Sequence, residues 1–109
     1  MTYQEIKQMI AGVGLPNAYY QFPDGTQQAP PFICFYFPGN DDFLADNTNY
    51  QMINELVVEL YTDNKEFDLE AAVESALTAA GLVYDRNETY IGSERMYQIS
   101  YTMEVVING

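Results

Sequence analysis

The side chains best placed to do chemistry in this chain are its carboxylates and a single thiol, because the other usual agents are missing. The 109 residues contain no histidine, which removes the commonest general base and the commonest metal ligand. Nucleophilic pairs of the Ser-His or Cys-His type are therefore excluded, and zinc lacks its usual ligand set. No phosphate-cradling Gly-x-x-x-x-Gly-Lys-Ser/Thr or Gly-x-Gly-x-x-Gly run occurs, since Gly12-Val13-Gly14 closes a helical pattern instead of opening one. Asp41, Asp42 and Asp46 lie close enough to approach a calcium ion, but no EF-hand register fits. A loop begun at Asp63 places Lys65 and Phe67 where oxygen ligands belong. Paired carboxylates for glycoside hydrolysis stay open by residue type alone, without the sugar-stacking tryptophan that usually attends them. The expectation is a protein with no catalytic role, no cofactor and no metal.

Cys34 sits within Phe32-Ile33-Cys34-Phe35-Tyr36-Phe37. A thiol in such a run behaves as a small buried hydrophobe. A reactive one would want a cation nearby, and the closest in sequence is Lys7. One cysteine cannot build an internal disulfide, which suits a reducing compartment.

Charge is the most lopsided property. Sixteen acidic residues face Lys7, Lys65, Arg86 and Arg95, a net charge of −12. That balance repels phosphate backbones and anionic membranes, and argues against direct nucleic-acid or membrane binding. Glu55, Glu59, Asp63, Glu66, Asp68, Glu70 and Glu74 are the densest group. They read as a solvated face, or alternatively as a surface for a basic partner or a mimic of nucleic acid. The start of the chain lacks a basic region followed by an apolar one, and no apolar run reaches the ~20 residues of a membrane span. A soluble, cytoplasmic protein is expected.

Tyr19, Tyr20, Phe22, Phe32, Phe35, Tyr36, Phe37 and Phe43 crowd one quarter of the chain. Such rings serve as core and sheet face, or as anchors of an interface, where tyrosine and phenylalanine are enriched. Phe43-Leu44, between Asp41-Asp42 and Asp46-Asn47, has the form of an apolar tip within polar flanks. The interface candidates are therefore Asp41, Asp42, Phe43 and Leu44, joined by Tyr19, Tyr61, Glu55 and Glu59.

These residues need elements to carry them. Thr2-Tyr3-Gln4-Glu5 has the form of a capping box, and Ile6, Met9, Ile10 and Val13 recur at helical spacing, which predicts a helix over roughly 3–13 stopped by Gly12, Gly14 and Pro16. Ala18 to Phe22 reads as a strand ended by the turn Pro23-Asp24-Gly25. The unbroken apolar run from Phe32 to Phe37 suggests a strand covered on both faces. Pro38-Gly39-Asn40-Asp41 turns the chain, and Phe43-Leu44-Ala45 offers a short return strand. Tyr50 to Tyr61 alternates as a half-buried strand. A second helix opens at Asp63-Asn64-Lys65-Glu66 with a possible cap pair, carries the stripe Leu69, Val73, Ala76, Leu77 and Ala80, and stops at Gly81. Leu82 to Ile91, a turn at Gly92-Ser93, and Met96 to Ile107 complete it, with Tyr97, Ile99, Tyr101, Met103, Val105 and Ile107 on one face of the last strand.

The order is α-β-β-(β)-β-α-β-β: a single α+β domain over 1–109, a mostly antiparallel sheet with two helices on it. Twelve extended residues reach about 40 Å, against a radius of gyration of about 13–14 Å for a chain of this length. The long strands must bend, or project as a ribbon that seeks a partner.

Several runs together resemble small neck-and-tail proteins of long-tailed phages and prophages of Gram-positive bacteria. They are Ala29-Pro30-Pro31-Phe32, Asp42-Phe43-Leu44-Ala45-Asp46-Asn47 through Tyr50, Glu59-Leu60-Tyr61-Thr62 through Lys65, and Glu88-Thr89-Tyr90-Ile91. The resemblance covers nearly the whole chain and contains no catalytic signature. It implies a tail terminator or related head–tail joining protein, of the kind called minor capsid or minor tail proteins. Such a protein has a compact α+β fold and forms a ring of its own copies, typically six-fold. The ring caps the tail tube and docks to the head connector or neck protein; it is assembled in the host cytoplasm and retained in the virion. Terminator, stopper and connector are not separated by these residues. A lumen made negative by residues such as Glu55, Glu59 and Glu70 would let DNA pass without adhering. The rival reading, an acidic decoy for a DNA-binding protein, rests on charge alone.

Overall fold

In the computed structural model, residues 1–22, 28–40 and 52–108 are described. Helix α1, Tyr3–Ala11, begins as a capping box: the Glu5 amide donates to Thr2 Oγ1 and the Thr2 amide to the Glu5 carboxylate. It ends earlier than the apolar spacing suggested. Gly12 caps it, and Gly14 takes a φ of +89° that a side chain would resist. Ile6 and Ile10 are the residues it buries.

Strand β1 is Asn17–Tyr19, shorter than the expected run from Ala18 to Phe22. Tyr20 adopts a φ of +67°, which takes the chain out of extended geometry. The turn expected at Pro23-Asp24-Gly25 and the return strand at Phe43-Leu44-Ala45 lie outside the described residues. Strand β2, Phe32–Asn40, runs past the point where Pro38 was expected to turn it. Its register with the next strand shifts between Tyr36 and Gly39, and this bulge is where a proline fits a sheet, because no ladder bond is asked of it.

Strand β3 is Met52–Thr62. Helix α2, Phe67–Ala79, starts four residues beyond Asp63 and has no side-chain cap. Lys65, just before the helix, is engaged with Glu70 and Glu88. At the other end Gly81, at φ +78°, closes a Schellman turn in which the Leu82 amide donates to the Leu77 carbonyl. That use of Leu82 moves the start of β4 to Tyr84; β4 is Tyr84–Ile91 and β5 is Met96–Ile107.

The five strands form one sheet in the order β1-β2-β3-β5-β4, antiparallel except for the β1–β2 pair. Both helices lie on one face of it. Met9 and Ile10 of α1, Val13 just after it, and Val73, Ala76 and Leu77 of α2 meet over Ile33 and Val58. The buried core on that side includes Phe35, Leu56, Leu60, Ile99, Tyr101, Met103 and Val105. It extends to the end of β5, where Ile107 is buried, so β5 spans the globule rather than projecting from it. Among the described residues no helix is long and apolar enough to cross a membrane.

The coverage of β2 differs from expectation. Ile33 and Phe35 enter the helix-covered core, while Phe32, Cys34 and Tyr36 point to the opposite face, which carries no helix among the described residues. One half of the apolar run is therefore helix-covered core, and on the other face Cys34 is buried between half-buried Phe32 and Tyr36.

Candidate functional site

The helix-free face falls into two regions set by the strand registers. At one end Phe32 pairs with Tyr61, Cys34 with Glu59 and Tyr36 with Val57. Phe32 and Tyr61 stack at 4.8 Å, Phe22 meets the edge of Phe32 at 5.4 Å, and Tyr20 meets Tyr36 at 5.3 Å. These rings border an open concavity of about 440 Å³ with Glu59 in its wall. Tyr61 Oη donates to Glu59 Oε1 at 2.9 Å, Tyr36 Oη contacts Oε2 at 3.3 Å, and Gln98 Nε2 donates to Tyr61 Oη at 2.8 Å. The carboxylate is thus held by neutral donors and has no ion-pair partner among the described residues. Burial, and then the adjacent Glu59, push the Tyr36 hydroxyl above its ordinary range. Tyr61 is also shifted upward, by burial first; its bond from Gln98 opposes the shift and Glu59 adds to it. Both phenols therefore stay protonated as donors.

Cys34 lies at the floor of this concavity and is 4% exposed. Burial, with Glu59 adding to it, raises the thiol to about 11. It is the inert, packed thiol expected from its apolar surroundings.

At the other end of the same face, Glu55 stands directly opposite Glu104 across the β3–β5 ladder, and Asp85 opposite Thr102 across β5–β4. Like charges facing each other in this way are mutually destabilising.

The cations are elsewhere. On the helix-covered side, buried Glu70 is gripped by Lys65 and Arg86. Lys65 also reaches Glu88 at 2.7 Å, Arg86 reaches Glu88 at 3.1 Å and Glu74 at 3.6 Å, and Tyr101 Oη donates to Glu74 at 2.8 Å. Glu70 holds Arg86 in its charged form. Lys65 is desolvated, which favours loss of its proton, but its bonds to Glu70 and Glu88 outweigh that and raise its pKa. The bond from Lys65 lowers Glu88 below the usual carboxylate range. This network ties α2 to β4 and is structural. Glu70 is thereby separated from Glu55 and Glu59, with which its charge had grouped it, and the dense acidic segment is not one solvated face.

The sequence candidates divide accordingly. Tyr61 and Glu59 meet in the concavity, and Glu55 lies at the acidic end of the same face. Tyr19 is on the helix-covered side, packed edge-on against Phe35 at 5.5 Å and near Phe37, which in turn meets Tyr3 at 5.2 Å. Asp41, Asp42, Phe43 and Leu44 lie outside the described residues. Phe22, Phe32 and Tyr36 were counted among the aromatics but not singled out; the period-two offset of Phe32, Cys34 and Tyr36 from Ile33 and Phe35 was the available signal.

No protein-family model and no curated protein matches the chain by sequence. Among solved structures it is similar to a chain described as "Virion of native gene transfer agent (GTA) particle", with a TM-score of 0.62 at 18% identity over 98% of this chain and 91% of that one. At that identity the likeness is one of fold.

Proposed function

We propose that this chain is a structural protein of a phage-like particle, and more narrowly a tail terminator or head–tail joining protein. In this reading its copies close into a ring that caps the tail tube and docks to the head connector. The observation that carries it is the fold, shared across almost the full length of both chains with a component of a gene transfer agent virion. The turn and strand motifs at residues 29–32, 42–50, 59–65 and 88–91 point the same way. The helix-free face supplies what such a role needs: half-buried rings around a carboxylate at one end and uncompensated acids at the other. A head-to-tail ring requires two different surfaces on one subunit that meet around a closed circuit, and opposite edges of this sheet differ in that sense. The role is one of assembly in the host cytoplasm and residence in the virion neck or tail; it involves no catalysis and no direct reading of nucleic acid.

Deleting the gene from the phage or prophage that encodes it tests the reading. Electron microscopy of the particles should show tails of uncontrolled length, or finished tails and heads left unjoined. Particles of normal length and attachment would remove the proposal. Light scattering on the purified protein, across concentration, is the companion measurement; a ring of about six copies leaves little room for the acidic-decoy alternative.

A further inference from the structure

Two separate oddities of this molecule fit each other. The first is the Glu59 concavity, a carboxylate with neutral donors only, rimmed by Phe32, Tyr36 and Tyr61 on the β1–β2–β3 side of the sheet. Aromatic faces beside a carboxylate favour a cation, and above all a planar guanidinium, which can stack and donate at once. The second is Arg95. It is exposed in the β4–β5 turn with a φ of +53°, a conformation that suits glycine or asparagine and disfavours arginine. Of the four basic side chains, Lys65 and Arg86 are held in the α2–β4 network, and Arg95 makes no ion pair among the described residues. Lys7 also lacks an ion pair there, but it lies on α1 beside β1, over the helix-covered face and near the same edge of the sheet as the concavity.

The topology places Arg95 at the β4–β5 edge of the sheet and the concavity over β2 and β3, with its Phe32–Tyr61 rim toward the same end of the strands. Phe32 pairs with Tyr61, Tyr61 with Gln98 and Gln98 with Thr89, two residues before the strand ends at Ile91. A closed ring has no rise from copy to copy, so donor and acceptor must come to one height across the contact. Glu59 is level with Ser100, five residues or about 16 Å from Arg95 along β5, an offset that the length of the arginine side chain and a tilt of the strands from the ring axis close.

We propose that Arg95 of one copy enters the Glu59 concavity of the next, its guanidinium bonding the carboxylate between the aromatic rings. The occupant is a second copy of this chain. The inference rests on the ring reading above and assigns the contact that closes it.

The test uses the full chain and analytical ultracentrifugation. Wild-type protein should associate, and Glu59→Gln and Arg95→Gly should each weaken association by tenfold or more. Arg95→Gly should at the same time melt at a higher temperature, because glycine relieves the turn, so loss of assembly cannot be assigned to misfolding. Arg95→Glu and Glu59→Arg should each fail alone, yet assemble when mixed: the native pair then alternates with its charge-reversed counterpart around an even-numbered ring. Unchanged association in Arg95→Gly and Glu59→Gln overturns this contact and leaves the ring reading standing. A single-chain mass for the wild type at every concentration also overturns it, while the ring reading is then judged by tail length in the deletion.

Discussion

On β3 the side chains of Leu60 and Tyr61 leave the backbone in opposite directions and meet different surroundings. Leu60 is fully buried beneath the helices, against Ile33 and Ile99 of the neighbouring strands. Tyr61 stacks on Phe32 at the rim of an open concavity and donates to Glu59. The carboxylates repeat this division. Glu70, on the helix side, has Lys65 and Arg86, whereas Glu59, Glu55 and Glu104 on the other face have no cation among the described residues. A chain with four basic residues has placed two of them where they join its own elements. The difference teaches that its negative charge is not uniform solvation: it is neutralised where α2 meets β4 and left uncompensated on the face that neither α1 nor α2 covers.

Substitutions can break this contrast or sharpen it. Leu60→Ala should cost the most, about 2–5 kcal/mol by the behaviour of buried leucines, read by urea denaturation. Arg86→Ala comes next. It leaves buried Glu70 with Lys65 alone, and since both cations are partly exposed the expected loss is about 1–3 kcal/mol, below that of a fully buried pair. Its pH signature is also defined. Glu88 is depressed in the fold, so its contribution is present above the ordinary carboxylate pKa and is lost as pH falls through the lower folded value. Lys65 is raised, so its contribution is present below the ordinary lysine pKa and disappears as pH climbs through the higher folded one. Thermal melts of Arg86→Ala against pH should show a shallower acid limb than the wild type.

Tyr61→Ala, one residue from Leu60, should cost only about 1 kcal/mol, as a half-exposed ring in a cross-strand pair, while abolishing association in the centrifuge. A loss as large as that of Leu60→Ala would mean that the helix-free face is a second core and not a contact surface. Glu104→Lys, facing Glu55, should be the smallest of these effects and, unlike the three above, in the stabilising direction, about 0.2–1 kcal/mol, shrinking as salt is added. Cys34 offers a check without mutation. With its thiol held near 11, it should react with a disulfide reagent at pH 8 roughly two orders of magnitude more slowly than a free cysteine, until the protein is unfolded.

Much of this architecture was legible because local chemistry and tertiary packing agree. The alternation of Tyr97 through Ile107 marks the buried face of β5, the Thr2–Glu5 box opens α1, and Gly81 closes α2. The sequence misled where a residue does something its type does not advertise. Tyr20 and Arg95 adopt positive φ without being glycine or asparagine, Pro38 sits in a bulge instead of a turn, and α2 starts at Phe67 with no side-chain cap from the Asp63–Glu66 run. The Glu59 concavity was half visible. Glu59 and Tyr61 stand two residues apart on one strand, but Phe32, Tyr36 and Gln98 join them only through strand order, which periodicity along a single segment does not encode.

The central ladder has a mechanical consequence. β3 pairs with β5 along its whole length, from Met52 opposite Ile107 to Thr62 opposite Tyr97. Inter-strand bonds of an antiparallel pair lie across the strand direction. Tension drawing the Met52 end of β3 away from the Tyr97 end of β5 therefore loads them all at once in shear, while tension on Met52 and Ile107 together opens them one after another. The sheet is stiff when stretched along its strands and weak when peeled, so the direction in which neighbours pull on a subunit decides how much force it withstands.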